Sequence, residues 1–289
     1  MKRALLLLLI VCSSCSWRPH HAAYSEYYSY LEDKPAAVPT ALPERCVIFF
    51  VSARHLDYAD PTRFLQSMCK HPIDGSMNGD VGHAWVHLHG PEGDFVGGHS
   101  GETGEGQPRY LDGICELAYL GDPNAARYLQ ATQYNGFFQR GSGGHEPTFA
   151  AMRPISEEEY ARVRLLFERP AAHWREYRLA GRHCVNFVED VASELGIAFN
   201  TEIKVMLPQR VFWGRCINLW EDPAYSCITF STPDALEKSL VEKVQSGELC
   251  AWKGASARYS DDGWKEVFQR LRRYWFVRTC ISKSKCVPS

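Results

Sequence analysis

The stretch Gly82-His-Ala-Trp-Val-His-Leu-His89 alternates without a break, and this alternation constrains the fold more than any other segment of the chain. Successive side chains of a strand point to opposite faces, so His83, Trp85, His87 and His89 share one face while Ala84, Val86 and Leu88 share the other. Gly90-Pro-Glu-Gly93 reads as a turn, and Asp94-Phe-Val-Gly-Gly-His99 as the returning strand of a hairpin. Cys46-Val-Ile-Phe-Phe-Val-Ser52 is a continuous apolar run rich in β-formers, as expected of a buried strand. Thr148–Arg153 and Arg210–Trp213 read as further strands.

Helical signals separate these strands. Asp60-Pro61 supplies an N-cap and a proline at the first helical position, opening a short helix to about Lys70. Ser156 and Glu159 form a capping box that starts a helix ending near Arg169, before Pro170. In Cys184-Val-Asn-Phe-Val-Glu-Asp-Val-Ala-Ser-Glu-Leu195, residues 184, 188, 191 and 195 are apolar at helical spacing, and Gly196 is a C-cap. Cys184 therefore lies in the first turn of an amphipathic helix, on its inward face. Pro233–Gln245 and Trp264–Phe276 read as helices. The Gly-rich text from Ser100 to Gly144 reads as loops, with short helices near Ala125–Gln130.

The N-terminus reads as an export signal. Lys2 and Arg3 precede the apolar run Ala4–Val11, far short of the roughly 20 residues of a spanning helix. Small residues then lead into Cys15, resembling a bacterial lipobox in which that cysteine is lipidated and becomes the mature N-terminus. Residues 1–14 are thus a signal peptide and 15–45 a flexible tether rich in Tyr and Pro, with the catalytic domain from 46 to 289 and a C-terminal extension after about 196. The extension includes a basic segment, Lys265–Lys285, read as a solvated helix face. With Lys plus Arg at 32 and Asp plus Glu at 34, the chain has no excess of base, which excludes a nucleic-acid partner. The 11 cysteines lack zinc-finger spacing and suit a compartment outside a reducing cytosol. Setting aside Cys12, Cys15 and Cys184 leaves Cys46, Cys69, Cys115, Cys216, Cys227, Cys250, Cys280 and Cys286, enough for up to four disulfides and leaving Cys184 as the one readily alkylated thiol.

A thiol attacks a carbonyl as the thiolate, and a helix N-terminus favours that form through its partial positive charge and its amide N–H groups. The same amides can hold an oxyanion, and a neighbouring imidazole completes an ion-pair nucleophile whose ring a third group orients. Cys184 fits the nucleophile, His83 the base and His99 the orienting group, with the two rings neighbours on paired strands. Replacing His83 is then expected to cost more activity than replacing His99. A competing use of the histidines is zinc, held by His87 and His89 with His99 across the hairpin. The cysteine chemistry is preferred, with no metal and no cofactor.

Gly82-His-Ala-Trp-Val, Gly98-His99 and Tyr177-Arg-Leu-Ala-Gly-Arg-His-Cys184-Val-Asn-Phe-Val resemble, in this order, the circularly permuted NlpC-type papain-like superfamily. That group includes YaeF-like bacterial lipoproteins and the lecithin:retinol acyltransferase family, and its catalytic His precedes its Cys. The resemblance implies an α+β fold, an antiparallel sheet with the nucleophile helix packed against it. By the same match, His83 corresponds to the base, His99 to the third polar residue and Cys184 to the nucleophile. His183 stands where the family has Asn, and Val185-Asn186 where the acyltransferases have Glu-His. The expected protein is an envelope lipoprotein, anchored to the outer membrane on its periplasmic side or at the cell surface. It would be a cysteine hydrolase or acyltransferase acting on an amide, ester or thioester of a cell-wall peptide, lipid or acylated substrate. The alternative is a non-catalytic, disulfide-braced surface lipoprotein that uses the same groove for binding.

Overall fold

The computed structural model describes residues 42–68, 81–101, 110–212 and 216–252. The signal segment, the tether with Cys15 up to residue 41, the expected helix at Trp264–Phe276 and the basic C-terminal segment lie outside them.

The apolar run forms β1 (Cys46–Ala53), flanked on one side by β2 (Gly82–Gly90) and on the other by β5 (Phe149–Pro154). Beyond β2 come β3 (Gly93–Ser100) and β4 (Phe137–Arg140), and the short β10 (Cys250–Ala251) closes the other edge. Every pairing in this six-stranded sheet is antiparallel, in the order β10-β5-β1-β2-β3-β4. Both faces of β1 are buried, which is why it contains no polar alternation. Val47, Phe49 and Val51 point into one core and Cys46, Ile48 and Phe50 into a smaller one on the opposite side.

Helices cover the first of these faces. They are α3 (Glu157–Phe167), α4 (Cys184–Glu194) and α5 (Pro233–Gln245), whose buried residues share one cluster with Val47, Phe49, Ala84 and Val86. The capping box of α3 forms as expected, Ser156 Oγ accepting from Glu159 N at 3.2 Å and Glu159 Oε2 from Ser156 N at 2.9 Å. Arg153 on β5 ties the two helices to the sheet: its guanidinium pairs with Glu159 and donates to the Leu195 carbonyl at 2.7 Å, at the end of α4. The molecule is thus α+β, an antiparallel sheet with the Cys184 helix packed on β2 and β3.

A second core lies beside the sheet. It gathers α1 (Pro61–Met68), α2 (Tyr110–Tyr119) and the 3-10 turn Ala125–Gln130 with two small hairpins, β6 (Glu202–Met206) with β9 (Cys227–Ser231) and β7 (Arg210–Phe212) with β8 (Cys216–Asn218). Helix α2 replaces part of the loop expected between Ser100 and Gly144. Its glycine, Gly113, disguises it in sequence but is needed in space: a Cβ there would lie 2.3 Å from the Tyr128 ring. The segment after residue 196 is no appendage, since α5 and β10 belong to the main sheet layer.

A buried carboxylate locks α5 onto the end of β1. Asp234 is inaccessible to solvent, and accepts from the backbone N–H groups of Arg54, His55 and Leu56 at 2.7, 2.9 and 2.9 Å and from the Tyr58 hydroxyl at 2.7 Å. His55, held at φ 50, turns its Nε2 to Glu237 at 2.6 Å.

Candidate active site

Cys184 opens α4 on the helix-covered face of the sheet, where it is 1% exposed and carries a thiol. The residue before it, His183, is the N-cap. Its extended backbone turns the ring over the first turn, so that Nδ1 accepts from Val185 N at 3.3 Å and lies 3.9 Å from Cys184 Sγ. An imidazole nitrogen that accepts from an amide carries no hydrogen, so the proton of His183 sits on Nε2. Asn186 completes the cap: its Oδ1 accepts from His183 N at 3.1 Å and its Nδ2 donates to Glu189 at 2.9 Å. Glu189 is further held by Thr201 and Ser231, and burial lifts its carboxyl above the usual range.

His99 reaches the same face from β3. Register sets it opposite Phe138 of β4, and Phe138 packs against Trp174 and Phe187 of the Cys184 core. Its Nε2 lies 2.8 Å from the Trp174 carbonyl. A carbonyl can only accept, so Nε2 bears the hydrogen and Nδ1 is a lone pair. That Nδ1 is buried and makes no hydrogen bond among the described residues, nor does His183 Nε2. One donor and one acceptor, both in want of a partner, therefore sit on two rings that feel each other electrostatically and share Tyr177 as an edge-on neighbour. Gly136 makes room for this arrangement, since a Cβ there would meet the Trp174 oxygen at 2.1 Å and His99 Nε2 at 3.0 Å.

Both rings are held neutral. Burial pushes His99 down to about 4, with Arg182 and His173 adding to the cost of a proton, and pushes His183 down to about 3, with His99 adding to it. The resting ion pair expected from the sequence is therefore disfavoured, and a base here would take its proton during attack. At the rim, Asp190 joins Arg169 at 3.0 Å and Arg182 at 3.6 Å, and both guanidiniums donate to His173 Nε2.

His83 is not part of this constellation. It stacks on Trp85 at 5.8 Å and on His145 at 4.7 Å, fully buried on the opposite face of the sheet from Cys184. The register gives the reason. Val86 pairs with Gly97, so Ala84 and His99 occupy one side and His83 the other. The expected neighbouring of His83 and His99 is thus corrected: His183 lies beside the nucleophile, His99 shares its face of the sheet against Trp174 and Tyr177, and His83 lies behind the sheet. His183 was visible in sequence as an N-terminal neighbour of the helix, but its ring as a cap was not foreseen.

The same parity removes His99 from the imagined zinc set. The hairpin instead places Asp94 with His87 and His89, its Oδ1 lying 3.4 Å from His87 Nε2 and 2.6 Å from His89 Nδ1.

The disulfide expectation also changes. Cys46, Cys115, Cys227 and Cys250 are thiols, whereas Cys216 is disulfide-bonded. With Cys250 exposed, Cys184 cannot be the one alkylated thiol. Cys46 is deeply buried, and its thiol is pushed up to about 11 by that burial and by the charge of Asp94.

No protein-family model, curated protein or solved structure matches this chain. Among the described residues no helix is long and apolar enough to cross a membrane.

Proposed function

We propose that the chain is a cysteine-dependent hydrolase or acyltransferase of the permuted papain-like kind, with Cys184 as nucleophile and His99 as base. The observation that carries this reading is the lone pair on His99 Nδ1, buried on the face of the sheet that receives the first turn of α4, with the other ring nitrogen pinned by the Trp174 carbonyl. A ring fixed in that tautomer can only accept a proton at Nδ1, which is what attack by a thiol requires. The Trp174 carbonyl then takes the orienting role first assigned to His99. His183 holds the helix entry and keeps its Nδ1 beside Sγ. Amide N–H groups of the first turn of α4 are placed to stabilise an oxyanion.

The reaction begins with attack of Cys184 Sγ on a carbonyl carbon as the thiol proton passes to His99 Nδ1. Collapse of the tetrahedral adduct expels an amine, alcohol or thiol, which receives that proton, and leaves a thioester on Cys184. Water or an acceptor nucleophile then releases the acyl group by the reverse sequence. The substrate carries an amide, ester or thioester. Lipidation at Cys15 would hold the domain beside a bacterial envelope membrane, within reach of cell-wall peptides and acylated lipids.

Burial of the thiol is what favours the rival reading, a binding lipoprotein without chemistry. Acyl probes with mass spectrometry of the adduct separate the two. A thioester on Cys184 that vanishes in Cys184→Ala and forms far more slowly in His99→Ala supports the enzyme. Absence of any adduct with folded protein across amide, ester and thioester probes would leave the binding reading standing.

A further inference from the structure

We propose that His87, His89 and Asp94 bind a divalent transition-metal ion of the zinc class, at a site on the face of the sheet opposite Cys184. The two histidines are alternate residues of β2, so their rings project from one face, 5.9 Å apart between centroids. Asp94 sits directly across the hairpin from His89 in register, held there by the two-residue connection Pro91-Glu92. Three side chains from one tight hairpin thus offer two nitrogens and a carboxylate oxygen, all within 4.8 Å of one another.

The spacing fits the ion. Ligand bonds of about 2.0–2.2 Å in a tetrahedron put donor atoms roughly 3.3 Å apart. The His87 Nε2–Asp94 Oδ1 separation is 3.4 Å, already at that value. The His89 Nδ1–Asp94 Oδ1 separation is 2.6 Å, a hydrogen-bond distance, so a proton occupies the place a metal would take. Widening that one contact by less than an ångström, roughly a small rotation of an exposed carboxylate, completes the edge. Meanwhile His87 Nε2 is buried, and its one polar neighbour among the described residues is Asp94 Oδ1 at 3.4 Å, an oxygen that His89 holds closer. A metal between the three would satisfy all of them. Mixed imidazole and carboxylate donors favour zinc and its neighbours over magnesium or calcium, which prefer oxygen alone. Three protein ligands leave a fourth position open, and the half-exposed Asp94 side sets it toward solvent.

Binding through Nδ1 needs only the other tautomer of His89, with the ring hydrogen on Nε2, and Asp94 then accepts the ion in place of that hydrogen. Two readouts follow, and neither depends on turnover. Chelator-treated full-length chain titrated with zinc chloride should bind one ion with a heat that saturates at one equivalent. Cobalt(II) in place of zinc should give the intense visible bands of four-coordinate geometry. His87→Ala and Asp94→Asn should each weaken zinc binding by about 10–100-fold or more, the range for disturbing even the supporting shell of such a site. Asp94→Asn preserves shape, so its loss cannot be laid to misfolding. Cys184→Ala should bind as the parent does. Zinc affinity and stoichiometry unchanged in His87→Ala and Asp94→Asn, or no zinc binding by the folded parent, would overturn the proposal.

Discussion

The two faces of the β2–β3 hairpin carry the same residue type under opposite conditions. On the helix-covered face, His99 is buried against Trp174 and Tyr177, its tautomer set by a backbone carbonyl. On the other face the histidines run from a buried aromatic stack at His83 to a half-open, carboxylate-bearing cluster at His89. A sealed neutral ring suits proton transfer to a bound reactant, whereas a row of rings beside a carboxylate suits a cation. One residue of parity along a strand separates the two chemistries.

The sharpest way to break this comparison is to remove one histidine from each face. Cys184→Ala should abolish the thioester adduct outright. His99→Ala should slow acylation by about 10²–10⁴-fold, the usual range for a general base. His83→Ala should slow acylation far less than His99→Ala once folded protein is selected, since His83 lies on the face of the sheet opposite Cys184. Equal losses in His83→Ala and His99→Ala, read in single-turnover labelling, would mean that the faces are not chemically distinct.

How far this was legible in the sequence follows from the same parity. The alternation of 82–89 assigned every side chain of β2 to its correct face, and the helix periodicity put Cys184 inward. The register was already implicit in reading Gly90-Pro-Glu-Gly93 as the turn, but pairing His99 with His83 did not carry that parity along β3. With Gly90 paired to Gly93, His99 falls beside Ala84, and the nearer His83 drops behind the sheet. Asp234 escaped for another reason. A carboxylate near a helix start reads as an ordinary N-terminal charge, and only the folded chain brings the amides of residues 54–56 to it. Helix α2 and the short strands β4, β6, β8 and β9 were hidden by Gly113, by brevity and by partners distant in sequence, whereas β7 was read at Arg210.

Acid offers a second test of the comparison, somewhat smaller in size. His99 has an ordinary value of 6.5 and is lowered to about 4 in the folded chain. Between these values the unfolded chain binds a proton that the folded chain refuses, so stability rises with pH across the window and is lost on acidification from about 6.5 toward 4. The loss attributable to this one ring is about 3 kcal/mol between neutrality and pH about 4. Denaturant titrations at the two pH values should show it in the parent and show it reduced in His99→Gln, which cannot take the proton. An acid loss as large in His99→Gln as in the parent would show that the sealed face does not hold its ring neutral. In turnover, the acidic limb should fall near about 4, because the base works only when unprotonated.

The smallest expected effect concerns how firmly the sealed face is held. Asn186 links the two ends of the cap, accepting from His183 N and donating to Glu189, which Thr201 and Ser231 in turn secure. Asn186→Ala leaves every reacting atom in place but removes both hydrogen bonds, so α4 should start less rigidly at a cost of about 1 kcal/mol, the usual figure for a lost cap. Loosening the His183 ring by that amount should lower the acylation rate by about tenfold with little change in the concentration of probe needed for half-saturation. Asn186→Asp tests the direction of the links: the acceptor for His183 N is kept, while the donor to Glu189 becomes a second carboxylate beside it. Burial already lifts the Glu189 carboxyl above its ordinary range, so the added charge should raise it further and make the variant recover as pH falls. A rate in Asn186→Asp that is independent of pH down to the limb set by His99 would detach this network from the nucleophile. It would leave the Trp174 carbonyl as the principal orienting group on that face.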